Sequence, residues 1–241
     1  MLQATRGLVF HVSRYSDSSG IAKVFTEDSG LQSVVVKSLF SKKAKIRPAL
    51  FGHLSLIDLV IDQKPGRTLN YVRDASLNKA FPEISDNIIR SSMLLFINEV
   101  LYKAVKEEEA NRNLFDFIEH TLDSLNNTSI PVQMFHLLFL IRLSDHLGFG
   151  PGGSLSLDGD YFDMLTGTVE ENNPSNAYII SGDLLALLRK LSPLDYPDLT
   201  NFTASRKLVL DLLNRLLDYY RIHQPEMAEL KSVKVLGEIM G

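Results

Sequence analysis

Gly20-Ile21-Ala22-Lys23-Val24-Phe25-Thr26, then Glu27-Asp28-Ser29-Gly30, then Leu31-Gln32-Ser33-Val34-Val35-Val36 is the stretch whose reading decides the fold. Ile21 to Thr26 is a short strand, the polar tetrad is a turn, and the Val34-Val35-Val36 run is strongly β-forming because branched side chains suit a pleated surface. Upstream, Asp17-Ser18-Ser19-Gly20 is a second turn. Before it, Leu8, Phe10 and Val12 alternate with Val9 and His11 in Thr5 to Val12, the period of two that turns one strand face to a core. Downstream, a basic stretch from Lys37 to Arg47 leads to a fourth strand within Phe51 to Asp62. Lys64-Pro65-Gly66 then turns the chain into a fifth, Leu69 to Arg73. Five short strands, read as antiparallel, predict a small closed barrel, because closure removes the edges that template aggregation. An OB-fold is the commonest five-stranded solution; an SH3-like barrel has much the same sequence pattern.

From Phe81 onward the period becomes helical. Pro82 and Ser85-Asp86 are start signals for a helix reaching about Ala110 along Ile88, Ile89, Leu95, Phe96, Val100 and Leu101. Leu114 to Leu125 is a second helix. Pro131 opens a third, to Leu147, closed by Gly148; it is apolar nearly all round and so predicts the buried centre of a bundle. Residues 150–176, rich in Gly, Asp, Asn and Ser, read as a loop, and helices resume at Ser181 to Leu191, Ala204 to Tyr220 and Met227 to Ile239. The expected fold class is α+β: an N-terminal five-stranded OB-fold β-barrel over 1–80, then an all-α helical domain over 81–241 with an irregular insert at about 150–180.

Composition narrows the function. The 241 residues contain no Cys, which excludes a disulfide framework, thiolate-bound metal and a cysteine nucleophile, and fits a reducing compartment. The first residues lack the basic and apolar segments of a secretory signal, and no apolar run approaches the ~20 residues of a membrane span, so the expectation is a soluble cytoplasmic protein with no membrane partner. The net charge of −4 averages unlike halves: 12 Lys+Arg against 6 Asp+Glu in 1–80, and 13 against 23 in 81–241. That split of +6 and −10 is what a chain shows when one part meets a polyanion.

No motif for catalysis emerges. Gly148-Phe149-Gly150-Pro151-Gly152-Gly153 has the letters of a dinucleotide loop but follows a helix and leads into a loop, so it reads as a helix end. Asp158, Asp160 and Asp163 lack the spacing and bidentate Glu of a calcium loop. His136 and His146 lie ten apart, out of phase for sharing a metal. No metal ligand, catalytic residue or cofactor is therefore expected.

The basic stretch is the better candidate. Lys37, Lys42, Lys43, Lys45 and Arg47 place five cations in eleven residues without an acid, in the connection between the third and fourth strands. Arg6, Arg14 and Lys23 extend the patch, Phe40 lies within the stretch, and Tyr15, Phe25, Phe51 and Tyr71 are near in sequence, Phe25 and Phe51 reading more plainly as core; a cationic groove with aromatic platforms is how OB-folds hold single strands. The plainer reading is a solubilising surface loop. In the helical half, Leu137, Leu140, Ile141 and Arg142 combine a strongly apolar run with a cation at its end, a candidate contact surface for a protein partner; the plainer reading is core.

These residues also carry a family resemblance. Thr5-Arg6-Gly7-Leu8-Val9, Tyr15-Ser16-Asp17-Ser18, Phe25-Thr26, Gly30 and Val34-Val35-Val36-Lys37 entering a basic loop resemble the N-terminal domain of the RecO family of bacterial recombination mediators. Phe135-His136-Leu137-Leu138 through Leu147-Gly148 and Pro151, and Lys231-Ser232 with Val235-Leu236, resemble its helical part. The resemblance implies an OB-fold followed by a helical bundle, binding to single- and double-stranded DNA, and annealing of complementary strands at the nucleoid. It also implies partnership with RecR and with the acidic C-terminal tail of single-stranded DNA-binding protein in loading recombinase. No enzymatic activity and no cofactor are implied. Many members carry a four-cysteine zinc module where this chain has Gly152 to Gly182 and no cysteine, so zinc is not carried over. The alternative from another class is a non-catalytic adaptor whose barrel binds a peptide or an acidic partner instead of DNA.

Overall fold

The computed structural model describes residues 1–63, 69–106, 108–227 and 229–239, so the expected turn at Lys64-Pro65-Gly66 lies outside the described residues. The chain forms two compact units: Met1–Pro82 with Asn98–His120, and Glu83–Ile97 with Thr121–Gly241.

The first unit is built on β1 (Leu2–Arg14), β2 (Gly20–Thr26), β3 (Gly30–Val36), β4 (Leu56–Asp62) and β5 (Asn70–Lys79), which close into a barrel in the order β1-β2-β3-β5-β4. This is the OB-fold order. The expectation of purely antiparallel strands needs one correction, because an odd number of strands in a ring cannot alternate in direction all the way round. β3 and β5 run parallel, with Val34 opposite Asn70 and Val35 opposite Tyr71. β1 is long enough to serve two neighbours, pairing with β4 over Leu2–Leu8 and with β2 over Gly7–Arg14, and a bulge between Val9 and His11 bends it between them.

Val9, Ala22, Val24, Val34, Val36, Ile57, Leu59, Ile61 and Val72 fill the barrel. Gly7 faces the same interior: a Cβ there would lie 2.5 Å from Val24 Cγ1 and 3.0 Å from Leu59 Cδ1, so only glycine fits this close approach. The reading of Phe51 to Asp62 as strand is too long at its start. Pro48–Phe51 is a 3-10 turn, Leu54 takes a positive φ of 52°, and the strand begins at Leu56. Leu54 N donates to Val9 O at 2.7 Å, tying this segment to β1.

The helices begin with α1 (Pro82–Ser85), α2 (Ile88–Ala104) and α3 (Arg112–Asn126). The single helix expected from Phe81 to Ala110 is interrupted because Asn87 Oδ1 accepts from Ile89 N and Arg90 N, capping a new start. Asn111 caps α3 in the same way through Leu114 N. In the first unit the later turns of α2 and the first turns of α3 cover the outside of β1 and β2. Phe10, Phe25 and Phe115 stack in series with centroids 5.8 and 6.2 Å apart.

The second unit surrounds α4 (Phe135–His146), whose residues Phe135 to Ile141 are all buried, as its apolar run predicts. The helix starts later than Pro131 because 131–134 form a turn, with Phe135 N donating to Val132 O. Tyr220 Oη donates to Leu140 O at 2.7 Å, and Tyr196 stacks on Phe135 at 4.3 Å. Arg90 is buried and donates to Leu125 O, Thr128 O and Ile130 O, a cation satisfying the carbonyl end of α3.

Residues 150–176 are more ordered than a loop. β6 (Tyr161–Asp163), β7 (Thr168–Glu170) and β8 (Ile179–Ser181) form an antiparallel sheet in the order β7-β6-β8, an addition to the helical half. Asp163 fixes its turn: Oδ1 accepts from Leu165 N and Oδ2 from Asn176 Nδ2. Arg189 donates to Leu155 O, Leu157 O and Gly159 O, pinning the approach to the sheet. α5 (Gly182–Leu191), α6 (Arg206–His223) and α7 (Ser232–Ile239) complete the unit, α7 starting five residues after the expected Met227.

Candidate nucleic-acid interface

The connection between β3 and β4 is anchored by its apolar residues and displays its cations. Leu39 and Ile46 are buried in the barrel core, whereas Lys37, Lys42, Lys43, Lys45 and Arg47 are exposed. Among the described residues none of these five has an ion-pair partner. The loop therefore presents unpaired charge on a fixed base instead of a mobile tether.

The β1–β2 turn lies against it: Phe40 N donates to Ser18 O at 2.8 Å and Ser38 N to Ser19 Oγ at 3.4 Å. Two cations rest on aromatic rings, Arg14 over Phe40 at 4.8 Å and Lys37 over Tyr71 at 4.9 Å. Lys23, half-buried on β2 opposite His11 and Ser33, sits on the strand leading away from this end.

Arg6 is the exception among the expected DNA ligands. Its Nε and Nη2 donate to Glu27 at 2.8 and 3.2 Å, and its Nη1 donates to Glu119 at 2.8 Å. Glu27 also meets Arg112 at 2.8 Å, and Arg6 lies over the Phe115 ring at 5.1 Å. Arg6 holds the Glu27 carboxyl below the usual carboxylate range, and the two glutamates raise the guanidinium in return. Its donors are spent on holding α3 to the barrel, so Arg6 is removed from the set of phosphate contacts.

The structure places Leu137, Leu140 and Ile141 in the core, at 0%, 0% and 1% exposure, and Arg142 donates to Leu194 O. A buried face cannot receive a peptide, which corrects the expected partner site. A cavity of about 140 Å³ lies beside it, lined by Met134, His136, Arg206, Val209, Leu210, Leu213 and Leu236 among others. It has an apolar floor, and Arg206 is exposed without an ion-pair partner among the described residues. His136 is fully desolvated, which lowers its pKa to about 4, so it enters the lining as a neutral ring; its Nδ1 has no hydrogen-bond partner among the described residues. The signal for this pocket in the sequence was Arg206 at the start of a helix with Leu210 and Leu213 on one face.

The segment from Gly152 to Gly182 contains neither Cys nor His, and apart from the Met164 thioether its side-chain donors are oxygens. Those do not fit a tetrahedral zinc of the thiolate type. Packing does the holding: Phe162 meets Tyr219 at 5.5 Å, and Tyr219 and Phe149 both meet His223, at 4.6 and 5.1 Å. No helix among the described residues is long and apolar enough to cross a membrane.

Comparison with known proteins agrees with this architecture. The family models "Recombination protein O N terminal" and "Recombination protein O C terminal" match residues 1–81 and 85–233. The DNA repair protein RecO of Bacteroides fragilis is 37% identical over 240 residues, 99% of each chain. The proteins of the same name from Phocaeicola vulgatus and Christiangramia forsetii are 32% identical over 239 residues and 30% over 242, covering 99% and 100% of both chains.

Proposed function

We propose that this chain, which belongs to the recombination protein O family, is a recombination mediator that binds single- and double-stranded DNA and anneals complementary strands. With RecR, it helps load recombinase onto DNA coated by single-stranded DNA-binding protein. The setting is DNA repair and recombination, in the cytoplasm at the nucleoid. The observation that supports the DNA reading most strongly is the loop whose Leu39 and Ile46 are sunk in the barrel while five unpaired cations face outward.

Arg14, Lys23, Lys37, Lys42, Lys43, Lys45 and Arg47 hold phosphates, which carry no base information, as an annealing factor requires. Neutralising both backbones at one basic end lowers the repulsion between complementary strands and raises their local concentration, and pairing then follows from the bases themselves. The protein makes and breaks no covalent bond in this scheme and uses no cofactor. The division of labour assigns DNA to the barrel of 1–80 and protein partners to the acidic helical part of 81–241.

The acidic tail of single-stranded DNA-binding protein has its best receptor in the cavity floored by Leu210, Leu213 and Leu236 with Arg206 at the lip. A terminal aromatic ring fills the apolar floor and the carboxylates meet Arg206. Annealing of complementary oligonucleotides by the full chain tests the first part: loss of annealing in the Lys42→Ala/Lys43→Ala/Lys45→Ala variant is expected, and unchanged annealing overturns it. Titrating the tail peptide tests the second: Arg206→Glu is expected to abolish measurable binding, and unchanged affinity places the tail elsewhere.

A further inference from the structure

Tyr15 is a large aromatic side chain left 56% exposed, with no ring or hydrogen-bond partner among the described residues for its side chain. It does not sit on a loose loop. Tyr15 N and Ser16 N both donate to Ser19 O, at 2.9 and 3.2 Å, and Ser19 N donates to Ser16 Oγ at 3.2 Å, so the turn between β1 and β2 is closed by its own bonds. Its neighbour Arg14 lies over the Phe40 ring, which packs in turn against the barrel core. The order from the inside outward is apolar core, Phe40 ring, Arg14 guanidinium, open space. An exposed phenol and an exposed, ring-backed guanidinium therefore belong to consecutive residues at the end of β1, next to the loop that carries Lys42, Lys43 and Lys45.

We propose that Tyr15 and the Arg14–Phe40 stack form a base-stacking platform that selects unstacked bases, and thus single strands, at the basic end of the barrel. This rests on the DNA-binding reading above and adds to it an interaction the phosphate-binding lysines cannot provide. A phosphate is the same in a duplex and in a single strand. A base face is not, because in a duplex it is covered by its neighbours. Flat surfaces of this kind accept any base, since every base has a π-face, and a guanidinium plane stacks as an aromatic ring does. The platform also gives annealing a direction. When two strands pair, their bases leave the platform, and the product is held through its phosphates alone, so it is released more readily than either reactant strand.

The test uses the full chain and compares an oligothymidylate with a duplex of mixed sequence at the same salt. Tyr15→Ala is expected to weaken single-strand binding about tenfold, the cost of one missing base stack, with duplex affinity and the salt slope unchanged. Tyr15→Phe keeps the wild-type affinity, and Arg14→Lys, which retains the charge and loses the plane, reproduces the single-strand defect. The chain contains no Trp, so Tyr15→Trp supplies a single reporter whose emission oligothymidylate quenches and duplex does not. Equal losses on both DNA forms, no loss on either, or an unquenched Trp in a variant that binds DNA overturns the platform while leaving DNA binding intact. Absence of DNA binding by the wild-type protein overturns the underlying reading instead.

Discussion

Arg6 and the Lys42–Arg47 loop belong to one barrel and carry the same sign of charge, yet the fold uses them in opposite ways. Arg6 is enclosed by Glu27 and Glu119 and backed by Phe115, and its donors are directed inward to fasten α3. The loop lysines flank Leu39 and Ile46, which are sunk in the barrel core, and face solvent. His136 in the second unit is a third case, a basic group kept neutral by burial. A cation is available to a polyanion only if the fold has not already supplied its counter-charge. The charge split of the chain shows the same effect: counted by compact units, the first holds 15 Lys+Arg against 12 Asp+Glu and the second 10 against 17. The barrel unit thus stands at +3 instead of +6, because residues 98–120 bring acids to it, and its basic character is concentrated at one end.

The contrast between basic groups that stabilise and basic groups that bind can be broken at several points. The largest expected effect is at His136. Its ring is lowered from the ordinary 6.5 to about 4, so neutrality of the ring supports the fold above pH 6.5 and that support is lost as pH falls toward 4. The difference corresponds to about 3 kcal/mol. Denaturant midpoints measured across this window should fall, and His136→Gln should flatten the profile.

Next is the Arg6 cluster. Arg6→Ala leaves Glu27 and Glu119 without their shared cation and is expected to cost about 2 kcal/mol, below the figure for a fully buried pair because these side chains retain some exposure. Chemical denaturation measures it, while DNA affinity of the folded fraction should stay at the wild-type value. Because the Glu27 pKa is lowered in the fold, its contribution is present at neutral pH and disappears in acid below the usual glutamate range. Glu27→Gln removes that acid sensitivity and lowers stability at pH 7.

The loop predicts the reverse. Lys42→Ala/Lys43→Ala/Lys45→Ala should leave the denaturation midpoint unchanged and weaken DNA binding roughly 10- to 100-fold for unrelated sequences, at about 0.5 to 1 kcal/mol for each exposed cation removed. A variant that loses stability instead would mean these lysines have partners in the fold. The smallest effect concerns metal: a chelator should leave the thermal midpoint where it was, since the segment from Gly152 to Gly182 is held by Phe162, Tyr219 and the hydrogen bonds of Arg189.

The barrel was legible in the sequence because alternation in Thr5 to Val12, the valine run at 34–36 and the polar turns are local signals with local causes. The parallel pairing of β3 with β5 was not, although it follows from parity once five strands are known to close. The loop cations were legible too, and their exposure follows from Leu39 and Ile46 taking the inward positions. The enclosure of Arg6 was hidden because Glu119 lies 113 residues away, and no window of sequence brings the two together. The burial of Leu137, Leu140 and Ile141 was ambiguous because an apolar run beside an arginine has the same letters whether it lines a pocket or fills a core; α6, wrapped over α4, decides it. The three-residue strands β6, β7 and β8 are too short to show a period and are held by Asp163 and Arg189 instead.

An isolated piece ending near residue 80 would lack Phe115, Glu119 and Arg112, which cover β1 and β2, so the decisive measurement uses the whole chain. It is the affinity for single-stranded DNA across a salt series, for wild type and for Lys42→Ala/Lys43→Ala/Lys45→Ala. Log affinity of the wild type should fall steeply with log salt, and the variant's slope should be shallower by about 2, at ~0.7 for each phosphate no longer neutralised. A wild-type response that is flat, or a variant slope equal to that of the wild type, would contradict a DNA grip made by the unpaired cations of this loop.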